Sequence, residues 1–395
     1  PARGKSFTSS RLSNYLNWYG IKCKIFNAGE YRRNLLSGFQ DSNFFDARNN
    51  NNQREKEQIA LNCLSDLLLW LRQEGDIAIF DATNTTIERR NLIKQTIDNT
   101  SEKIKLIFLE MITNNQEIIN QNLELKMQSP DYINNNKDSN FALEDFKKRM
   151  AFYEDIYQTL DQTENYSFIK KINVNEQIIL NKVFGITESL ITNFLMNLKI
   201  VNCPIYLSRH GQSQYNIEEK IGGDSSLSDM GIQYAVRLSD YLNQELNDNQ
   251  FTIFTSCLKR TNETASYLNK KNANLINSRL LNEIQAGICE NLSISEVKHK
   301  LPHIITERNN NKLVYRYPEG ESYLDIIERL QYFILQILSI DKPIVIIAHQ
   351  AINRVLLGYI MGYPLEQIPH LNCNLNEVIK FTPNSKGYTQ EIIKL

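Results

Sequence analysis

The sequence predicts an α/β protein of two doubly wound domains in series, and three observations carry that reading. Short apolar runs alternate with amphipathic helical patterns, the order that builds a parallel sheet with helices on both faces. Residues able to do chemistry fall where such runs end, at Asp81, at Arg209-His210-Gly211 and at His349; a parallel sheet opens its ligand crevice at these strand ends. The pattern also restarts after residues 201–204, a short linker whose proline ends the preceding helical stretch. Residues 1–200 and 201–395 are therefore expected to form separate domains, within the two or three that 395 residues allow.

Composition narrows the function. The 44 basic and 45 acidic residues leave a formal net charge of -1, so nothing points to a nucleic-acid or membrane surface. Phosphate binding would have to come from local clusters of Arg and Lys. Six cysteines (23, 63, 203, 257, 289, 373) lack metal-type pairing and read as reduced thiols of a cytoplasmic protein. No apolar stretch approaches the ~20 residues of a membrane span. Asparagine clusters at 49–52, 134–136 and 309–311 read as solvated loops.

In the first domain, Gly4-Lys5-Ser6 precedes a helical pattern with Leu12, Leu16 and Tyr19 on one face. This is the back half of a phosphate loop, G-x-x-x-x-G-K-[ST], whose amides and lysine hold nucleotide phosphates while the hydroxyl meets magnesium. A strand at 22–27 leads into Gly29-Glu30-Tyr31-Arg32-Arg33, and a helix with Ala60, Leu64, Leu67 and Leu71 on one face leads to a strand at 77–81 ending in Asp81. A phosphate-loop kinase places a carboxylate there, for magnesium or for the acceptor hydroxyl; capping the next helix near Thr85 is the competing role. A strand at 104–109 and a long helical region to Leu198 complete this half.

In the second domain, the strand at 205–209 delivers His210 between a guanidinium and a residue without a side chain. Gly211 lets an anion approach the backbone, Arg209 offers a fork to phosphoryl oxygens, and His210, kept neutral by nearby cations, can attack phosphorus. Partners follow downstream: Arg260 after a strand at 251–255, Glu283 in Leu281-Asn282-Glu283, and His349 after a strand at 343–348. Each has a structural alternative, a surface arginine, a turn cap and a buried histidine respectively. A helix from Glu321 with Ile326, Leu330, Phe333 and Ile337 on one face packs on the sheet.

These residues make the second half resemble the histidine phosphatases, the superfamily of the phosphoglycerate mutases. The runs at 220–228 and 315–323 resemble one branch, the bisphosphatase half of the 6-phosphofructo-2-kinase/fructose-2,6-bisphosphatase family. The runs at 1–6, 29–33, 80–86 and 129–132 resemble that family's kinase half. The resemblance implies that Gly4, Lys5, Ser6 and Asn122 bind ATP, that Ser6 and Asp81 hold magnesium, and that Asp81 is also catalytic. It implies that Arg33, Lys56, Thr83, Arg89, Lys126, Arg149 and Tyr153 grip fructose 6-phosphate or the transferring phosphoryl group. Arg89 and Arg149 read equally well one by one as solvated helix charges, and Lys56 stands where the family has an arginine, with Arg54 half a turn away.

For the phosphatase half it implies a catalytic set of His210, Glu283, His349, Arg209 and Arg260 needing no cofactor. Asn216, Gly222, Arg308, Lys312, Tyr323, Gln350 and Arg354 would hold fructose 2,6-bisphosphate. Departures are Thr113 in place of a common cysteine, Ile294 in place of a substrate-binding tyrosine, and Gln285 in place of an aspartate. The expected function is synthesis and degradation of fructose 2,6-bisphosphate by a homodimer joined through the kinase domains. The first glycine of the phosphate loop and its strand lie outside the sequence, so the chain reads as truncated and its kinase activity as weak or absent. A histidine phosphatase of another sugar or glycerate phosphate, or a non-catalytic regulatory binder, remain the alternatives.

Overall fold

The structure is a computed structural model that describes residues 2–36, 40–46, 48–127, 139–174, 176–199, 203–269, 271–384 and 387–395. The chain divides into two compact units, Pro1–Leu16 with Ile21–Ile200, and Asn17–Gly20 with Val201–Leu395.

The first unit is built on β1 (Cys23–Asn27), β2 (Ile77–Asp81), β3 (Ile107–Ile112), β4 (Ser167–Ile172) and β5 (Gln177–Asn181). β1 and β2 pair in parallel; β3 and β4 pair in parallel, with β5 antiparallel on the outside. Helix Asn50–Gln73 lays Leu64 and Leu67 on a core shared with Phe26, Ile93 and Phe108. A cavity of about 800 Å³ lies between β2 and β3, lined by residues of both strands and by Leu12 and Leu195.

Several expectations change here. The third strand lies three residues later than 104–109, because pairing with β4 sets its register from Ile107↔Ser167 to Ile112↔Ile172. The long helix to Leu198 is interrupted by β4 and β5. In β4 the residues Phe168, Ile169 and Lys171 are buried, so the stretch sits inside the sheet, where backbone pairing outweighs helical periodicity. The first helix, Lys5–Trp18, ends before Tyr19. Asn49 caps helix Asn50–Gln73 by accepting from the Asn51 and Asn52 amides, and Asn309 and Asn310 end helix Pro302–Asn310, so these two clusters are helix ends rather than loops. The cluster at 134–136 lies outside the described residues.

The second unit is a six-stranded sheet of β6 (Ile205–Arg209), β7 (Phe251–Thr255), β8 (Ala273–Asn277), β9 (Ile344–Ala348), β10 (Glu377–Asn384) and β11 (Gly387–Lys394). Its order is β11-β10-β6-β9-β7-β8. β6 to β9 run parallel, and β10 runs antiparallel to both its neighbours. β7 and β9 are buried along their whole length, which explains continuous apolar runs such as Ile-Val-Ile-Ile-Ala. On one face, helix Asp229–Leu246 packs Tyr234, Leu238 and Leu242 against Ile253, Val345 and Ile347. Helix Tyr323–Leu338 buries the predicted Ile326, Leu330, Phe333 and Ile337, and Phe333 meets Phe254 edge to face at 5.1 Å. The central strands β6, β9 and β7 therefore end side by side.

Candidate functional site

His210 follows β6, His349 follows β9, and Arg260 opens the helix Lys259–Ser266 that follows β7. The His210 amide donates to Ala348 O at 3.0 Å, tying the two strand ends together. The imidazoles are buried with ring centroids 5.2 Å apart. Arg260 lies between them, its Nε 3.1 Å from His210 Nε2 and 3.3 Å from His349 Nδ1, while its Nη1 donates to Gly223 O at 2.7 Å.

These contacts assign the ring protons. His210 Nδ1 lies 2.7 Å from Gly211 O, which can only accept, so Nδ1 carries the proton and Nε2 keeps its lone pair. Burial, then the charges of Arg260 and Arg209, hold the His210 pKa well below its ordinary value, so the ring is neutral. His349 is held down likewise, by burial first and then by Arg260. Its Nδ1 accepts from Arg260, so Nε2 donates to Ser256 Oγ at 2.8 Å. Arg209 donates Nη1 to Cys373 O at 3.3 Å, and its buried Nε has no partner among the described residues.

Glu283 arrives from a separate turn. Its Oε1 accepts from Ile284 N at 3.0 Å and from Ala351 N at 3.2 Å, in the first turn of helix Gln350–Met361. It thus does cap a helix end, yet one that begins beside His349. A neutral nucleophilic nitrogen, two guanidinium groups and a second imidazole, with a carboxylate whose charge acts on both guanidinium groups, suit phosphoryl transfer through nitrogen.

Beyond this centre the structure gathers cations. Arg354 donates to Leu371 O at 2.7 Å and to Tyr323 Oη at 3.3 Å, and Lys312 donates to Pro369 O at 2.8 Å. Burial first, and then the charges of Arg354 and Arg308, push Lys312 down to about 8. Arg308 stacks over Tyr317 at 5.9 Å. Gln350 begins the helix after His349. Asn216 Oδ1 is engaged in a capping box with Ser213, and Gly222 sits at φ +65 where a Cβ would lie 1.9 Å from Glu290 Oε2, so both shape the loop. Ile294 is exposed at the start of its helix.

In the first unit, Lys5, Asp81, Thr83 and Tyr153 line the cavity between β2 and β3. Asp81 is buried and accepts from Asn27 at 2.6 Å; Thr86, not Asp81, caps the next helix. Gly4 has φ +82 at the entry to helix Lys5–Trp18, whose first turn, with Ser6, carries no acidic residue. Asn122 Nδ2 donates to Ala2 O at 3.0 Å.

A second cluster forms around Phe44 and Phe45. Arg149 stacks 3.6 Å from the Phe45 ring centroid, Lys56 lies 6.0 Å from that of Phe44, and the Tyr153 ring is 6.2 Å from Phe45. Burial lowers the pKa values of Lys56 and of Arg89, whose charge is offset by Glu57 and Tyr153. The sequence reading missed Arg32, which is buried and stacks over Phe45 at 5.0 Å, whereas its neighbour Arg33 is exposed. The adjacent aromatics at 44 and 45 were the available signal. The side chain of Lys126 and the run at 129–132 lie outside the described residues.

Comparison with known proteins defines the class first. Residues 1–202 match the family model of 6-phosphofructo-2-kinase, and residues 205–393 match that of the histidine phosphatase superfamily, branch 1. The chain is 40% identical over 402 residues to 6-phosphofructo-2-kinase/fructose-2,6-bisphosphatase 3 of Rattus norvegicus, covering 100% of this chain and 70% of the relative. It is 38% identical to fructose-2,6-bisphosphatase of Saccharomyces cerevisiae, covering 98% of this chain and 85% of that one. It is 39% identical to 6-phosphofructo-2-kinase/fructose-2,6-bisphosphatase of Aquarana catesbeiana, covering 100% and 83%. The chain belongs to the 6-phosphofructo-2-kinase/fructose-2,6-bisphosphatase family, and its expected α/β architecture and bifunctional enzyme class hold.

Proposed function

We propose that the second unit hydrolyses the 2-phosphate of fructose 2,6-bisphosphate through a phosphohistidine on His210, and that the first unit makes the same compound from fructose 6-phosphate and ATP. The observation that carries the phosphatase reading is the Arg260 guanidinium lying between two neutral, buried imidazoles. His210 Nε2 attacks phosphorus in line. The bond from phosphorus to the C2 oxygen breaks, and Glu283 gives that oxygen its proton. Arg209 and Arg260 bear the charge on the phosphoryl oxygens. For His349 to help, its proton moves to Nδ1, and Ser256 Oγ then donates to Nε2. Water next attacks phosphorus, the nitrogen-phosphorus bond breaks, and Glu283 takes the water's proton. Arg308, Lys312 and Arg354, with Tyr323, hold the 6-phosphate; their mutual repulsion is relieved by an anion of that charge.

In the kinase half, Gly4, Lys5 and Ser6 at a helix N-terminus with no acidic residue in its first turn fit nucleotide phosphates. A hydroxyl at Ser6 and the carboxylate of Asp81 fit magnesium, which takes few protein ligands beside phosphate oxygens and would neutralise charge on the transferring group. Asn122 lies near this loop through Ala2. The cluster of Arg32, Lys56, Arg89, Arg149 and Tyr153, with Thr83 nearer Asp81, suits fructose 6-phosphate. Exposed Leu180 in the outer strand β5, with Phe184 and Ile186 following it in sequence, suits a homodimer contact between kinase units, and free thiols suit the cytoplasm.

The test uses substrate labelled in the 2-phosphate. Acid-labile label trapped on the wild type and absent from His210→Ala supports the assignment; label on both removes it. Turnover of fructose 2,6-bisphosphate should exceed that of fructose 1,6-bisphosphate and of phosphoglycerates. ATP-dependent formation of fructose 2,6-bisphosphate, abolished by Asp81→Asn, reads the kinase half.

A further inference from the structure

The segment that presents Glu283 has no strand or helix of its own. It runs from the 3-10 turn Arg279–Leu281 to the next at Gly287–Cys289. A carboxylate on such a connection is only as well placed as the backbone beneath it. An ion pair grips that backbone from the neighbouring helix. Arg329, in helix Tyr323–Leu338, donates Nη1 to Leu280 O and Nη2 to Asn282 O at 2.7 Å, and Nη2 reaches Glu283 O at 3.5 Å. The other edge of the guanidinium grips Glu321, Nε to Oε1 at 2.9 Å and Nη2 to Oε2 at 3.2 Å. Glu321 Oε2 also accepts from Gln285 N at 3.0 Å, and its own amide donates to Gln285 O at 2.8 Å. Both side chains are about four-fifths buried.

The pair therefore fastens the main chain on both sides of Glu283. Only a planar fork can serve carbonyls on one edge and a carboxylate on the other. We propose that Arg329 and Glu321 are positioning residues that set the Glu283 carboxylate against the leaving-group oxygen. Their side-chain hydrogen bonds go to the segment around Glu283 and to each other. The inference rests on Glu283 being the proton donor, and it adds how that donor is aimed. A misplacement of about 1 Å costs on the order of 100-fold in rate, and it should fall on the one step that needs the proton.

Leaving-group dependence separates this role from general damage. The rate of phosphohistidine formation is measured in single turnovers with two donors, fructose 2,6-bisphosphate, whose sugar oxygen leaves only if protonated, and p-nitrophenyl phosphate, whose phenolate leaves unaided. Arg329→Met should slow the sugar phosphate by about 10- to 100-fold and the nitrophenyl ester by less than about 3-fold, with Arg329→Lys between. Glu321→Gln, which keeps size but turns one of the two acceptor oxygens into a donor, reads the same ratio if Arg329→Met fails to fold. Equal losses on both donors would overturn the positioning role. Glu283→Gln is the reference: if it shows no selective loss, the assignment of Glu283 is what has failed, and the inference falls with it.

Discussion

Arg260→Met tests the central geometry most directly. Methionine keeps much of the side chain's bulk and removes the cation together with its bonds to His210 Nε2, His349 Nδ1 and Gly223 O. Two consequences follow, and they act on different observables. With phosphate in place the guanidinium serves the charge that develops on the phosphoryl oxygens, and loss of one such preorganised donor costs roughly 100- to 1,000-fold. kcat/KM for fructose 2,6-bisphosphate should fall by about that factor. The second consequence concerns the nucleophile. Arg260 is the strongest charged influence holding His210 below its ordinary pKa, second only to burial. Removing a positive charge favours the imidazolium, so the His210 pKa rises in the variant. Because the protonated ring cannot attack, the acid limb of the kcat/KM profile should shift to higher pH. The assay is kcat/KM between about pH 5 and 8 for both proteins. A variant within about 5-fold of wild type, or one whose acid limb stays put or moves to lower pH, would refute the placement of Arg260 between the imidazoles.

Other outcomes follow from the same structure. Lys312 loses its proton near pH 8 and must be charged to hold a phosphate, so KM for the bisphosphate should climb above that pH and the climb should vanish in Lys312→Met; an unchanged slope in the variant counts against a phosphate there. Gly211→Ala places a Cβ 2.4 Å from Gly231 O, a backbone atom that cannot swing aside. The cost should be about 1–3 kcal/mol of overpacking, seen by calorimetry as a lower melting temperature; an unaltered one would show that the turn at Gly211 or the first turn of helix Asp229–Leu246 yields.

Much of the chemistry was legible in the residue string because it is local. A β-branched or aromatic run ending in Arg-His-Gly marks a buried strand with a polar tip, and β2 and β7 begin and end where the sequence pattern placed them. Helix Tyr323–Leu338 was visible from its apolar spacing for the same reason: a periodic pattern needs only neighbouring residues to show itself. β4 and β5 were not visible, since Lys170-Lys171 in an alternating apolar stretch suits a helix as well, and only pairing with β3 selects the strand.

Convergence belongs to the tertiary structure. Whether Arg260 meets both histidines depends on β6, β9 and β7 being neighbours, and sheet order is set by how helices pack across the sheet rather than by any one segment. Nothing in the sequence sets Arg329 apart from other helix charges, and the fold lays it beside the turn of Glu283; the lowered pKa of Lys312 arises from burial first and then from cations contributed by separate helices. The order of residues determined which side chains could bind and move a phosphoryl group. Which of them stand within reach of one another, and which are dry enough for their charges to matter, was decided by packing, because distance and burial are properties of the folded chain as a whole.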